Sequence, residues 1–168
     1  MLTSRERVAL TLNHCCFGYY ALEERIRSMQ ETLETEGEGK WVVKEVINIT
    51  TNENDAFAAV EAYYQANPET QGIYGADYYT YVTAQFIKQN GLEGTLHTGG
   101  SDLAPAMVDG LTEGYVDFGL GQNPYLQGFY PVMMMYHELE YGIRPITIDT
   151  GTDVVTPENI DQYNPDYR

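Results

Sequence analysis

Apolar positions along this chain alternate between short unbroken runs and helical periods. Residues 7–13, Arg-Val-Ala-Leu-Thr-Leu-Asn, are a strand-like run followed by a loop containing Gly18. Leu22, Ile26, Met29 and Leu33 then recur at i, i+4, i+7 and i+11, one face of a helix that should end near Gly37 and Gly39. Residues 41–49, rich in Val and Ile, read as a second strand. Asn54 or Asp55 can cap a helix that turns Phe57, Val60 and Tyr64 inward. That helix stops at Asn67-Pro68, because the residue before a proline is pushed out of the helical region. Residues 72–76 read as a third strand, Asp77 opens a helix carrying Tyr79, Val82 and Phe86 on one side, and Asn90-Gly91 ends it. Residues 95–98 and 116–120 read as further strands around a short helix at 104–111 that Gly114 terminates.

This β-α-β alternation predicts right-handed crossovers and an α/β fold, an open, mostly parallel sheet with helices on both faces. Ligands of such sheets bind at the C-terminal ends of the strands. After Gln122 the pattern changes, since residues 125–141 are helical in period but apolar nearly all round, with Phe129, Val132, Met133 and Tyr136 on one side and Tyr130, Met134 and Tyr141 on others. Such a helix needs cover on every face. Residues 146–149 and Val154-Val155 read as a last extended segment that can add an edge strand.

Charge narrows the function classes. Nine Lys and Arg stand against 25 Asp and Glu, a formal charge of −16. That sign repels nucleic-acid phosphates and anionic lipid, so no nucleic-acid partner is expected. No uncharged apolar run approaches membrane-spanning length, and residues 1–7 contain no apolar secretory core, so no signal peptide is expected in this chain. The two cysteines, Cys15 and Cys16, are adjacent, and a disulfide between them would be strained and would staple nothing. Fifteen tyrosines supply amphipathic rings suited to clefts and domain edges.

Enzymatic motifs fail on their residues. The loop after the first strand, residues 13–20, has one glycine and cannot be a phosphate-cradling loop. Gly100-Ser101-Asp102-Leu103 lacks the second glycine of a nucleophile elbow. His14, Cys15, Cys16, His97 and Asp102 are chemically suited to zinc, but adjacent cysteines lack the usual spacer, so no metal or other cofactor is expected. Asn13-His14 stand where a phosphoacceptor domain needs an acidic pair. A small hydrolase or transferase using His14 or Cys15 is the alternative from another class. Asp102, just past the fourth strand, can accept two hydrogen bonds from vicinal hydroxyls, and Gln122 on the same edge offers a donor and an acceptor.

Several motifs, in this order, resemble one family. They are Glu24-Arg25 with Met29, Ala66-Asn67-Pro68 before Gly72-Ile73-Tyr74, Gly100-Ser101-Asp102, residues 121–125 with Gly128, and Asp149-Thr150-Gly151 before residues 154–161. From about residue 7 to 163 the chain resembles the C-terminal lobe of type I periplasmic sugar-binding proteins of ABC transporters, the ribose-binding-like group. The resemblance implies a non-enzymatic function, binding a sugar or similar small polar solute in the cleft between two lobes. Asp102 and Gln122 match ligand-binding positions, and Asp77 matches a third. Ala76 stands where the family often has a ligand-binding Asn, and the family's ligand-binding Arg aligns nearer Glu23 than Arg25. Tyr19, Tyr20, Tyr78 and Tyr125 are candidate stacking rings.

The resemblance further implies a division of the chain: an α/β ligand-binding lobe over 7–122, a helix over 123–145 that packs on a missing N-terminal lobe or on a partner copy, and a returning strand and tail over 146–168. The implied partners are a sugar-like ligand, the missing lobe, an ABC permease and a homo-oligomer formed through 125–141. The implied location is the periplasm or the outer face of a bacterial membrane. A ligand-sensing lobe of a sensor or transcriptional regulator is the alternative within the same fold.

Overall fold

A computed structural model describes residues 8–163. Arg7 at the head of the expected first strand, the remainder of the leading segment and the tail after Tyr163 lie outside the described residues. The elements run β1 (Val8–His14), α1 (Tyr20–Thr35), β2 (Trp41–Asn48), α2 (Glu53–Ala66), β3 (Gly72–Gly75), a one-turn 3-10 helix (Tyr78–Thr80), α3 (Tyr81–Asn90), β4 (His97–Ser101), α4 (Pro105–Glu113), β5 (Phe118–Gly121), α5 (Pro124–Tyr141) and β6 (Asp153–Val155), with a final 3-10 turn at Ile160–Gln162. The sheet order is β2-β1-β3-β4-β5-β6, parallel except for the β5–β6 edge pair. The expected α/β class and mostly parallel open sheet are therefore observed.

Several boundaries differ for physical reasons. The α2 cap is Asn52, not Asn54 or Asp55, because its side chain accepts hydrogen bonds from both of their backbone amides. Asp77 caps a 3-10 turn that leads into α3 rather than α3 itself. The fourth strand begins two residues later than expected: Thr95 and Leu96 turn their amides back to the Leu92 carbonyl, and the strand runs through Gly99 and Gly100 instead. Those glycines have poor intrinsic strand preference, but a Cβ on Gly99 would lie 2.4 Å from the Phe118 ring and one on Gly100 would lie 2.0 Å from the Gly75 carbonyl oxygen. The close approach of neighbouring strands selects them.

Burial is unequal on the two faces. One face packs Ile47, Ile49 and Ile73 against α2, α3 and α4 through Val60, Val82, Phe86, Met107 and Leu111. Among the described residues only α1 is seated on the other face, through Ile26 on Leu12 and Ala76 with Met29 and Tyr74 alongside, so the expectation of helices on both faces is met there by a single helix. Of the expected last extended segment only β6 pairs with the sheet. Residues 146–149 form no strand, and Ile146 is 70% exposed. None of the 18 residues of α5 is buried. No helix among the described residues is long and apolar enough to cross a membrane.

Candidate functional site

The parallel order brings the C-terminal ends of β1, β3, β4 and β5 to one edge, and the residues just past them are the chemically richest in the chain. Asp102 follows β4 in the left-handed region at φ 71, a conformation that disfavours a residue with a Cβ. Three contacts hold it. Its amide donates to the Leu120 carbonyl at 2.9 Å, its Oδ1 accepts from Gln122 Nε2, and its Oδ2 lies 4.0 Å from Arg25 Nη1. The same Arg25 nitrogen donates to the Ala76 carbonyl at 2.7 Å, so one guanidinium from α1 ties the ends of β3 and β4 together. Non-glycine residues held in strained backbone regions cluster at functional sites.

Asp77 sits at the end of β3 but is occupied differently. It is buried, with Oδ2 accepting from the Cys15 amide at 2.5 Å and Oδ1 from the Tyr79 amide at 2.8 Å. It joins the β1 loop to the 3-10 turn, which makes it a brace for the edge. His14, at the end of β1, is fully buried, and neither ring nitrogen has a hydrogen-bond partner. Its nearest carboxylate is Glu23, at 3.8 Å, and Phe17 packs on its ring. Cys15 and Cys16 are free thiols in contact. Burial, the neighbouring thiol and the Asp77 carboxylate push the Cys15 thiol well above its ordinary range, so it resists ionisation.

The four tyrosines read from sequence all lie exposed on this edge. Tyr19 and Tyr20 open α1, Tyr78 packs edge-on against Tyr79 and Tyr81, and Tyr125 stacks on Phe129 with ring planes 8° apart. Exposed Phe17 joins them. Beside the edge, an open cavity of about 710 Å³ is lined by Arg25, Ser101, Gln122, Gln127 and the 149–152 return segment. Among the described residues no three His, Cys, Asp or Glu side chains gather in a way that could hold a metal ion. The sequence reading quotes Arg25 in a motif but sets it aside, aligning the family's arginine nearer Glu23, whereas the structure brings Arg25 into the cluster. The available signal was its place beside the buried Ile26, which turns its side chain along the flank of the buried stripe toward the strand ends.

Comparison with known proteins agrees with this fold. The family model for the periplasmic binding protein domain matches residues 18–142. The xylose/arabinose-binding protein XylF of Sulfolobus acidocaldarius is 30% identical over 171 residues, covering 97% of this chain but 41% of that protein. A solute-binding protein of an ABC transporter from Burkholderia graminis, solved in complex with D-arabinose, superposes with a TM-score of 0.85 at 23% identity over 95% of this chain and 56% of its own. One from Agrobacterium vitis, bound with alpha-D-tagatopyranose, gives 0.83 at 24% identity over 93% and 52%. The solved structures share the fold, and this chain spans about half their length. With a family model covering most of the chain and the same α/β lobe in these structures, the chain belongs to the periplasmic binding protein family.

Proposed function

We propose that this chain is a sugar-binding lobe serving ABC-type uptake outside the cytoplasmic membrane, forming one wall of a cleft whose other wall is a second α/β lobe. The observation that carries the reading is the Asp102, Gln122 and Arg25 cluster. It presents a carboxylate and an amide in fixed relation at the strand ends, an arrangement that suits vicinal hydroxyls. Exposed aromatic rings around it suit the apolar faces of a pyranose. Asp102 and Gln122 contact the ligand, Arg25 and Asp77 hold the edge in shape, and Tyr19, Tyr20, Tyr78 and Tyr125 border the cleft. The reading is non-enzymatic. Cys15 is disfavoured as a thiolate, and neither ring nitrogen of His14 has a hydrogen-bond partner through which it could activate a nucleophile.

A single wall forfeits about three to five hydrogen bonds at roughly 1 kcal/mol each, so the dilute chain should bind at least about a hundredfold more weakly than a complete cleft. Saturation-transfer NMR detects such affinities. With D-xylose and L-arabinose as probes, transfer to the sugar ring protons is expected and should drop sharply in Asp102→Ala and Gln122→Ala. No transfer to either sugar, or transfer unchanged in both variants, would refute the reading.

A further inference from the structure

The chain's two cysteines, Cys15 and Cys16, stand in the turn that joins β1 to α1, on the edge that carries the candidate site. Their sulfur atoms lie 2.7 Å apart, so a bond of about 2.05 Å between them needs little movement. The fold pins the backbone around them. The Ile49 amide donates to the His14 carbonyl at 3.2 Å, the Cys15 amide donates to Asp77 Oδ2, and the Tyr19 amide donates to the Cys16 carbonyl at 3.1 Å. Both thiols are free and only partly buried, within reach of a small molecule in solution. A bond between neighbours closes no loop, so it brings none of the chain-entropy stabilisation of a structural disulfide. Adjacent Cα atoms stand about 3.8 Å apart, below the ~4.4 Å that unstrained disulfides span. Strained or exposed disulfides are the ones that respond to the redox state around them.

We propose that Cys15 and Cys16 are a reversible redox site, closing to a vicinal disulfide on meeting a low-molecular-weight disulfide and opening to two thiols in a reducing medium. The Cys16 thiolate attacks one sulfur of the small disulfide, whose S–S bond breaks, and the other half leaves as a thiolate that takes up a proton. Cys15 then gives up its proton and attacks Cys16 Sγ in the mixed disulfide. The Sγ–Sγ bond forms, and the second small thiol departs with the electron pair. Two protein thiols thereby lose two electrons and two protons, and one small disulfide becomes two thiols. Cys15 attacks second because burial, the neighbouring thiol and the Asp77 carboxylate keep it protonated. That second step joins two sulfurs that the fold already holds together, which replaces an encounter with an intramolecular reaction. Ring closure stiffens the turn whose next residues are the exposed Phe17, packed on His14, and the exposed Tyr19. The redox state then sets how firmly those rings are presented at the edge. This consequence for ligand rests on the sugar-binding reading, whereas the bond itself does not.

Equilibrating the folded chain in graded mixtures of reduced and oxidised glutathione, followed by acid quenching and intact mass spectrometry, tests the bond. As oxidised glutathione rises, the mass should fall by about 2 Da, the two hydrogens lost. Both thiols should disappear together with no glutathione retained, the chain should stay monomeric on a non-reducing gel, and dithiothreitol should restore the thiols. In urea the same mixtures should give a ratio of disulfide to dithiol at least about tenfold lower, because the unfolded chain does not hold the sulfurs together. Cys15→Ala should stop at the glutathione adduct on Cys16, and the measurements on the unaltered chain do not depend on that variant. Thiols that persist in excess oxidised glutathione would overturn the proposal, as would adducts on both cysteines, a disulfide between chains, or equal closure in urea. Saturation-transfer titration with L-arabinose then compares the two forms. The closed form should bind about two- to tenfold more tightly, the ordering cost of one side chain. Equal affinities would refute the coupling to the edge, and no transfer in either form would refute the sugar reading while the mass measurement still decides the bond.

Discussion

Replacing Asp102 separates the backbone from the chemistry at this site. At φ 71 any residue with a Cβ bears a penalty of about 1 to 2 kcal/mol that glycine does not. The carboxylate returns stability through the hydrogen bond from Gln122, worth about 1.5 to 3 kcal/mol to a charged group when well buried. Its partly exposed pairing with Arg25 at 4.0 Å adds no more than about 1 kcal/mol. Asp102→Ala keeps the strain and loses the bonds, so it should destabilise the fold by about 2 to 3 kcal/mol. Asp102→Gly loses the same bonds and relieves the strain, so it should cost about 1 kcal/mol less than Ala, the reverse of the usual order in helices and strands. For ligand the two should be alike, since both remove the acceptor, and pentose affinity should fall about five- to 150-fold, the equivalent of 1 to 3 kcal/mol. Urea denaturation of the three proteins gives the stabilities, and saturation-transfer titration with D-xylose gives the affinities. A glycine variant less stable than the alanine variant would refute the backbone argument, and parental affinity in both would remove Asp102 from the site.

Arg25→Met keeps an unbranched side chain but leaves the Ala76 carbonyl without its donor, and about 1 to 2 kcal/mol of stability should be lost by chemical denaturation. Gly100→Ala should be far worse, about 3 kcal/mol or more, because its Cβ would meet backbone 2.0 Å away that cannot yield; expression and melting temperature report it. Burial, with the Glu53 carboxylate adding to it, pushes the Tyr81 phenol up to about 12 from 10.0, so the folded state favours the neutral form. That contribution is whole below about pH 10 and is lost as pH rises through about 12, and Tyr81→Phe should flatten the stability decline across that window. Iodoacetamide at mildly alkaline pH should alkylate Cys15 much more slowly than a free cysteine thiol, as peptide mass mapping would show.

Much of this protein is legible in one dimension. The periods of Leu22 and Ile26, the Val and Ile run after Trp41 and the stops at Pro68, Gly91 and Gly114 are local properties, because helix and strand spacing and chain termination act within a few residues. From their alternation the parallel sheet follows, and with it the edge where Asp102 and Gln122 meet. The family was legible in the order of short motifs. What only the tertiary structure decided is non-local. The fourth strand runs through Gly99 and Gly100 because Phe118 and Gly75, distant in sequence, come too close for a Cβ. Asp77 braces two loops because Cys15, 62 residues away in sequence, offers its amide. Arg25 joins the site because the β1–β3–β4 order places the ends of two strands beneath α1. The apolar character of residues 125–141 was plain in the sequence, but that none of the α5 residues is buried was not. The cavities beside α1 draw residues from α1, from β1 to β5 and from the 149–152 segment, and they exist only once those strands are laid side by side.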